Sequence, residues 1–525
     1  MTLTDALNRQ VPGVQPDSRQ NQELSEQLQQ SVQKSIYQNS LKLNSRVLFA
    51  LAGQGNQKSL ILVSGGEFVP EIANSFEGET RIVEIDRQSM TIKTCPLTPL
   101  NARALRVCFP FAAPVLTGIR RSIGCGDRIG LATPGHIRAV RATGVMPILA
   151  QQSIREMTRT QRTAQQVMDD ATWGVFQEGF QQGFGSDADH LKSKADIDAT
   201  LEAGFTMFTI DPGDYVDDQS DFDNSHSLLN KFQALDWKAL EYSADDCKRL
   251  YADKSFRISD DYQLKISKDE LVKAAVKYGR AVIHTTTLFR YLQQRSGGKA
   301  FELEVSVDET ATPTTPAEHF YVASELKRLG VQWISLAPRF IGEFEKGIDY
   351  KGDLKTFERA FISHVRIAQY VGPYKISLHS GSDKFSIYPI AAKHAGELIH
   401  VKTAGTSYLE ALHALGKIDP DFFEEIYTYS YARFETDKAS YHISTSLPQI
   451  THPSDISGKN TTDILNDIHC RQMLHVTFGS VLTEKKDDCT YRFRERLMRL
   501  LGENEEIHYE LLAKHLGRHA APFSA

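Results

Sequence analysis

The hydrophobic and polar positions of this chain follow three different patterns along its length. Residues 1 to about 40 are rich in Gln, Asn and Ser and poor in large apolar groups, which predicts a mobile polar arm leading into a short helix. From Ser45 to about Pro114, short apolar runs alternate with Gly, Pro and Asn, a pattern typical of short strands and hairpins. We therefore expect a small β-rich cap ahead of the main body of the protein.

The third pattern is a repeated alternation of short β-branched runs with helical segments. The runs are SIGCGDR from Ser122, MPILAQQ from Met146, GFGSDADH from Gly183, FTMFTID from Phe205, FELEVSVD from Phe301, VQWISLAP from Val331, YKISLHSG from Tyr374 and LIHVKTAG from Leu398. Most are followed by segments such as DIDATLEAG, which are apolar at a period near 3.6 and often end in Gly. Eight strand–helix units at a spacing of about 30 residues predict a TIM-like (β/α)8 barrel. A doubly wound open sheet is the alternative, and the even spacing favours the barrel.

The spacing is broken once, by a polar, Asp-rich helical insertion after the fourth predicted strand, and the chain after Ala404 is mainly helical. The predicted organisation is a polar arm over 1–44, a β-rich region over 45–115, a catalytic barrel over 116–415 with an insertion over 215–298, and a helical C-terminal extension over 416–525.

Composition excludes several classes of partner. The 525 residues carry 60 Lys and Arg against 66 Asp and Glu, a balance that predicts binding neither to nucleic acid nor to an anionic membrane. No stretch approaches the roughly 18 apolar residues of a membrane-spanning helix, and the N-terminus lacks the features of a secretory signal. The six cysteines form no C-x-x-C pair, so we expect reduced thiols and a cytoplasmic location.

Polar residues concentrate where the predicted strands end, which is where a barrel places its active site. They are Gly126, Asp127 and Arg128; Gln151, Gln152 and Ser153; Asp187, Asp189 and His190; Asp211 and Asp214; Glu302, Glu304 and Asp308; Pro338 and Arg339; His379 to Lys384; and Lys402 to Gly405. Their number is hard to explain by helix caps and turns alone.

Two histidines and a carboxylate in this set could bind a divalent cation. His190 and His379 are the histidines, and Asp211 and Glu304 are the candidate carboxylates. Simpler interpretations remain open, because Asp189 could cap the following helix and His379 could be a hydrogen-bonded residue at a strand end.

Four cationic residues could converge on an anion: Arg128, Arg339, Lys384 and Lys402. Lys384 follows the seventh strand, a region where barrels often bind anions at a helix N-terminus. The segment GQGN from Gly53 lacks the third glycine and the βαβ context of a dinucleotide fingerprint. Nicotinamide and nucleotide cofactors are therefore unsupported.

Long stretches of the chain resemble the tagaturonate/fructuronate epimerase family. They include SIGCGDRIGLATPGHIRA, LAQQSIREMTRT, GFGSDADHLK, APRFIGEFEKGIDYKGD, SLHSGSDKFSIYPIA and HVKTAGTSYLEAL, and they run from about Arg120 to Leu412. The resemblance implies a cytosolic sugar-acid isomerase that inverts C4 of a 2-keto sugar acid (a 2-ketohexonate) and uses a divalent metal.

With that substrate, the hydrogen on C4 is not acidic, because C4 is β to the ketone. Transient oxidation at C4 would need a bound nicotinamide, so we expect retro-aldol cleavage and re-formation of the C3–C4 bond. We assign His190, His379 and Asp211 to the metal, and Asp189 and Glu304 to acid–base catalysis, although Glu304 and Asp211 could exchange roles. The predicted substrate-binding residues are Arg128, Gln152, Arg339, Lys384 and Lys402.

The alternatives are a metal-dependent aldolase, an aldose–ketose isomerase acting on sugar acids, and a non-catalytic carbohydrate-binding protein. The crowd of ionisable residues favours an enzyme. The sequence leaves open which metal is bound (Zn, Mn, Ni or Co) and whether the protein is a homo-oligomer.

Overall fold

The fold was analysed in a computed structural model that describes residues 3, 7, 18–54, 57–66, 70–85 and 87–524. Residues 1, 2, 4–6 and 8–17 of the predicted polar arm and the last two residues of GQGN lie outside these ranges. The short helix expected after the arm is α1, Ser18–Val32.

The β-rich region is an antiparallel sheet of six strands in the order β1-β3-β4-β6-β5, with β2 paired to β3. Its elements are β1 Ser35–Ile36, β2 Lys42–Asn44, β3 Val47–Gln54, β4 Gln57–Gly65, α2 Glu71–Asn74, β5 Glu79–Ile85, β6 Gln88–Pro96 and α3 Pro99–Cys108. The alternation of side chains along a strand divides β3 between two cores. Leu48 and Ala50 pack with α1, whereas Phe49 packs with Phe109 and with Phe176 from the barrel.

The central domain is a closed, all-parallel barrel, and each of the eight predicted strands is present in it. Its strands are β7 Ser122–Gly124, β8 Met146–Ser153, β9 Gly185–Leu191, β10 Met207–Ile210, β13 Glu302–Val307, β14 Ser335–Pro338, β15 Lys375–Leu378 and β16 Ile399–Lys402. Closure is made by β16 against β7, with Lys402 opposite Gly124. The TIM-like barrel is therefore confirmed, and the open doubly wound sheet is excluded.

Helices surround this barrel, and the apolar faces of all but the last of them join the strands in one large core. They are α4 Thr133–Val140, α5 Ile154–Thr160, α6 Ala164–Glu178, α7 Lys194–Ala203, α10 Lys268–Arg295, α11 Pro316–Arg328, α12 Leu354–Val371, α13 Tyr388–Ala395 and α14 Thr406–Ile418.

The chain between β10 and β13 contains more than helices. It comprises α8 Ser225–Gln233, α9 Ala244–Tyr251, the antiparallel hairpin of β11 Lys254–Ser259 and β12 Tyr262–Ile266, and then α10. The hairpin departs from the expected helical insertion because Leu264 and Ile266 alternate with polar residues, a period-2 pattern. The helix α10 packs against α7 and α11 and so takes the place of the fourth barrel helix.

The C-terminal extension is helical, as predicted, and encloses a second core with α14. Its helices are α15 Pro420–Asp437, α16 Thr461–Asn466, α17 Ile468–Val476, α18 Phe478–Thr483, α19 Arg494–Glu503 and α20 Glu505–Ala520. Across the described ranges, no helix combines the length and apolar character needed to cross a bilayer.

Candidate active site

The third barrel strand ends in an irregularity that turns two neighbouring side chains toward one pocket. The register of β9 against β10 shifts after Ala188, and His190 adopts the left-handed conformation with φ of 56°. That conformation costs a non-glycine residue roughly 1–3 kcal/mol. Successive side chains of a regular strand point to opposite faces, whereas a bulge re-aims one of them. Asp189 and His190 consequently line the same inner pocket at the carboxyl ends of the strands.

His379, directly after β15, completes a triad with these two residues. Its Nε2 lies 3.0 Å from Oδ1 of Asp189, and Nδ1 of His190 lies 3.1 Å from the same oxygen. One potential ligand atom from each residue lies within 4.8 Å of the other two. Two imidazoles and a carboxylate are a suitable donor set for Zn, Mn or a similar divalent ion.

The charges in this triad depend on one another. Burial opposes protonation of His190, but the neighbouring carboxylate of Asp189 raises the pKa of His190 well above its ordinary value. Burial and the charge of Lys402 lower the pKa of His379. The carboxylates of Asp308 and Asp189 have the larger, opposite effect, and the pKa of His379 rises to about 9. Without a cation, both imidazoles are therefore protonated at neutral pH. A divalent ion would have to displace those protons, so its affinity should rise with pH.

Lys402 forms the floor of the inner pocket and holds three carboxylates together. Its Nζ lies 2.9 Å from Asp187, 2.7 Å from Asp189 and 2.7 Å from Glu304, and it donates to the hydroxyl of Thr209 at 3.0 Å. The ammonium and its three carboxylate partners are all almost completely buried. Burial opposes the charge on Lys402, but the three carboxylates raise its pKa well above the ordinary value, so it stays a cation.

Two further carboxylates follow β13 and face the triad from the other side. Oδ1 of Asp308 lies 3.2 Å from Nδ1 of His379. Oε1 of Glu309 lies 3.6 Å from Nε2 of His190 and 3.2 Å from the guanidinium of Arg155. The proximity of His190 lowers the pKa of Glu309, so its carboxyl group is ionised.

The inner pocket, of about 40 Å³, opens into an outer chamber of about 400 Å³. The chamber is lined by residues that include Arg155, Asp308, Glu309, Arg339, Phe340, Glu343, Lys346, His379, Ser380, Tyr441 and His442. Tyr441 and His442 come from the C-terminal extension, which therefore forms part of the wall. Three of these side chains are cationic (Arg155, Arg339 and Lys346) and three are carboxylates (Asp308, Glu309 and Glu343), so the chamber offers cationic partners to an anionic sugar beside acceptors for its hydroxyl groups.

Most of the predicted site residues meet here. The residues in the inner pocket are Arg128, Asp189, His190, His379 and Lys402. Arg339 lines the outer chamber. Asp211 lies beside His190, and these two residues form with Glu309 a second group of ligand atoms within 4.8 Å of one another.

Three predicted residues do not face the cavity, and the structure does not support them as contacts to a substrate. Glu304 is fully buried beneath Lys402. Gln152 donates a hydrogen bond to Glu156 at 2.8 Å. Lys384 is buried, and its ammonium donates to three backbone carbonyls. Lys402 does reach the pocket, but its hydrogen bonds are taken by its own partners.

Some residues of the cavity have no role in the sequence prediction. Asp308 belongs to the strand-end residues but is assigned no function there, and Glu309, its neighbour in VSVDET, could be identified by the same argument. Lys346, Tyr441 and His475 carry no such signal, because they lie on loops or on helices remote in sequence from the strand ends.

Comparisons of the sequence and of the fold with known proteins point to one family. A family model described as tagaturonate epimerase matches residues 37–522. A tagaturonate/fructuronate epimerase of Thermotoga maritima is 42% identical over 484 residues, which are 92% of this chain and 96% of that protein. The crystal structure of fructuronate-tagaturonate epimerase UxaE from Cohnella laeviribosi with one glycerol is 36% identical with a TM-score of 0.87, and the match covers 96% of this chain and 99% of that one. The native form of the same enzyme gives a TM-score of 0.86 at 35% identity. This chain therefore belongs to the tagaturonate epimerase family.

Proposed function

We propose that this protein interconverts tagaturonate and fructuronate by inverting C4, with a divalent metal held by Asp189, His190 and His379. The observation that carries the proposal is this buried triad at the base of a polar cavity, in a chain that matches the family over most of its length. The inner and outer cavities together have room for a six-carbon chain.

The donor set suits a divalent ion in a second respect, since one ligand has a partner that would orient it. A metal-bound imidazole commonly donates its other N–H to a carboxylate, and Asp308 lies within 3.2 Å of Nδ1 of His379, which leaves Nε2 for an ion. A cation at the triad would supply Lewis-acid polarisation of the substrate's carbonyl oxygen. Asp211 is a further candidate ligand through its proximity to His190.

The chemistry of the substrate defines what the side chains must do. Counting from the hydroxymethyl end, the ketone is C2 and the carboxylate is C6, so the hydrogen on C4 is β to both and is not acidic. Inversion by retro-aldol chemistry requires removal of the proton from the C4 hydroxyl while the C3–C4 bond breaks. The electron pair of that bond passes to C3 and the C2 carbonyl. The C4 aldehyde then turns, and C3 attacks its other face.

Glu309 is the side chain placed to move that proton. It is ionised, it lines both parts of the cavity, and its carboxylate faces the triad. We assign it to accept the C4 hydroxyl proton and to return it when the bond re-forms. It replaces Glu304, which has no access to the cavity, and Asp189 is better placed as a metal ligand than as a base.

The test combines activity with metal binding. Chelator-stripped protein is incubated with tagaturonate, with and without Mn, Zn, Ni or Co, and fructuronate is followed by NMR while metal binding is measured by calorimetry. We expect conversion only with metal, and His379→Ala should lose both metal binding and conversion. His226→Ala, at an exposed position of the insertion, is the matched control and should retain both.

Metal-independent conversion would contradict the metal site but not the epimerase. Release of two three-carbon products without recombination would indicate an aldolase, and absence of any conversion would remove the proposed activity. For location, the six unpaired cysteines support the cytoplasm as the proposed compartment.

A further inference from the structure

One corner of the inner pocket contains buried polar groups that have no partner among the described residues. The corner lies where β16 leads into α14. His475, from α17, is 1% exposed, and neither of its ring nitrogens has a hydrogen-bond partner. Thr406 follows the pocket residue Ala404 by two positions and lies behind the pocket lining, and its hydroxyl is likewise buried without a partner. Because an unpartnered buried polar group costs free energy, these groups indicate a ligand.

Gly405 is what allows these groups to converge. It has φ of 88°, and a Cβ at this position would lie 2.3 Å from Nε2 of His475 and 2.8 Å from Nη2 of Arg128. No side chain caps α14. Within the described ranges, nothing accepts a hydrogen bond from the N–H groups of Thr406 and Ser407. The positive end of a 13-residue helix is thus open toward an imidazole and a guanidinium.

Arg128 is held firmly at this corner. Its Nε and Nη2 bind the carboxylate of Glu156 at 2.8 and 2.7 Å, and its guanidinium stacks on Phe478 at 3.6 Å. A further N–H donates to the backbone carbonyl of His475 at 3.2 Å, which still leaves donors of the guanidinium unused. Rigid donors of this kind bind a planar anion at little entropic cost.

Most of the groups on offer are hydrogen-bond donors: the helix amides, the guanidinium and one N–H of the imidazole. Burial holds the pKa of His475 well below its ordinary value, so the other ring nitrogen is an acceptor. The carboxylate of Glu156 is already occupied by Arg128 and by Gln152. A ligand that only accepts hydrogen bonds, such as a carboxylate, is complementary to this set. The inner pocket of about 40 Å³ matches such a group in size, because one water needs roughly 10–15 Å³ of the same kind of volume.

We propose that this carboxylate subsite, formed by Arg128, His475 and the start of α14 at Gly405 and Thr406, binds the C6 carboxylate of the substrate. The inference rests on the proposed function. It supplies a step that the chemistry needs, because the aldehyde fragment must turn at C4 without leaving the enzyme. A fragment fixed at C6 can rotate about its C4–C5 bond while the triad holds the other half. His475 is a positioning residue in this scheme.

The test uses L-glycerate as the probe, because it reproduces C4 to C6 of the substrate with the carboxylate and with the configuration of C5; below, glycerate means this enantiomer. Glycerol is the same three-carbon unit without the charge. Dissociation constants are measured by NMR titration on the full-length, metal-loaded protein. His475→Leu should weaken L-glycerate by about 10- to 100-fold and leave glycerol nearly unchanged, and His475→Gln should recover part of the loss.

Two further variants make the experiment decisive. Thr406→Val removes one hydroxyl at nearly constant shape and should weaken L-glycerate by roughly 2- to 10-fold, which keeps the test valid if His475→Leu fails to fold. Arg339→Gln changes the outer chamber and should leave L-glycerate binding as in the wild type. The proposal is overturned if both probes weaken together, if neither weakens, or if the loss appears with Arg339→Gln instead. The binding measurement does not require turnover, so it tests the subsite separately from the activity. If the protein were inactive but its binding of glycerate still depended on His475, the epimerase activity would be refuted and the subsite would stand.

Discussion

Replacing Lys402 by Met tests the electrostatic balance beneath the site. The ammonium has three carboxylate partners at 2.7–2.9 Å, and all four groups are buried. At an effective dielectric constant of 20, each attraction is about 6 kcal/mol, most of which is offset by desolvation. Removing one member of a buried ion pair typically costs about 3–5 kcal/mol. We expect Lys402→Met to lower the free energy of unfolding by about that amount at pH 8.

The destabilisation caused by Lys402→Met should be smaller in acid, because protonation of the carboxylates is linked to folding. Burial already raises the pKa of Asp187 to about 6, even with Lys402 present. In the variant, the pKa values of the uncompensated carboxylates should rise further in the folded state than in the unfolded chain, so the folded state gains stability from proton uptake as the pH falls. The difference from the wild type should therefore be smaller at pH 5.5 than at pH 8.

The assay is urea unfolding of metal-free protein, followed by tryptophan fluorescence at both pH values. Lys375→Met is the matched control. Lys375 is equally buried, but its ammonium donates to the hydroxyl groups of Thr117 and Ser122, and burial lowers its pKa to about 8. At pH 8 about half of the folded molecules have a neutral Lys375, and by linkage this changes the effect of Lys375→Met between pH 8 and pH 5.5 by only about 0.4 kcal/mol. This account of Lys402 and its three carboxylates would be refuted if Lys402→Met lowered the free energy of unfolding by less than about 1 kcal/mol at pH 8. It would also be refuted if the decrease were not smaller at pH 5.5.

Two other predictions concern the pH dependence of stability and the catalytic step. Burial lowers the pKa of His136 to about 4 from an ordinary value of 6.5. Between these two pH values, the unfolded chain therefore binds more protons than the folded protein. The free energy of unfolding should fall as the pH drops through this window, and His136 should contribute on the order of 3 kcal/mol to the decrease. His136→Gln should reduce that slope in thermal unfolding measured from pH 7 to pH 4, and an unchanged slope would contradict the assignment. Glu309→Gln should lower kcat by about 10²- to 10⁴-fold, with Glu202→Gln, exposed on α7, as a control of near wild-type rate. In heavy water, the hydrogen on C4 should stay unexchanged, and incorporation of deuterium there would exclude the retro-aldol route.

Much of the candidate site could be anticipated because a parallel barrel brings the carboxyl ends of its strands to one face. His379 and Asp189 are separated by 190 positions, yet each ends a strand, so their meeting follows from the fold. The same argument fails for Glu304, since it does not say how far along a strand a side chain must lie to reach the cavity. The side chain of Glu304 lies inside the barrel below the cavity, and Lys402 lies between it and the cavity.

The sequence by itself determined the strand–helix alternation, the number of strands and the family, because period and spacing are local properties that survive without coordinates. Only the tertiary structure decided which polar groups are satisfied by the protein and which are left for a ligand. Lys384 is an example of the first kind, with its ammonium on backbone carbonyls. His475 is an example of the second, since it reaches the site from a remote helix through the space left by Gly405. The physical reason is that hydrogen-bond satisfaction and burial depend on contacts between distant segments, which no local pattern encodes.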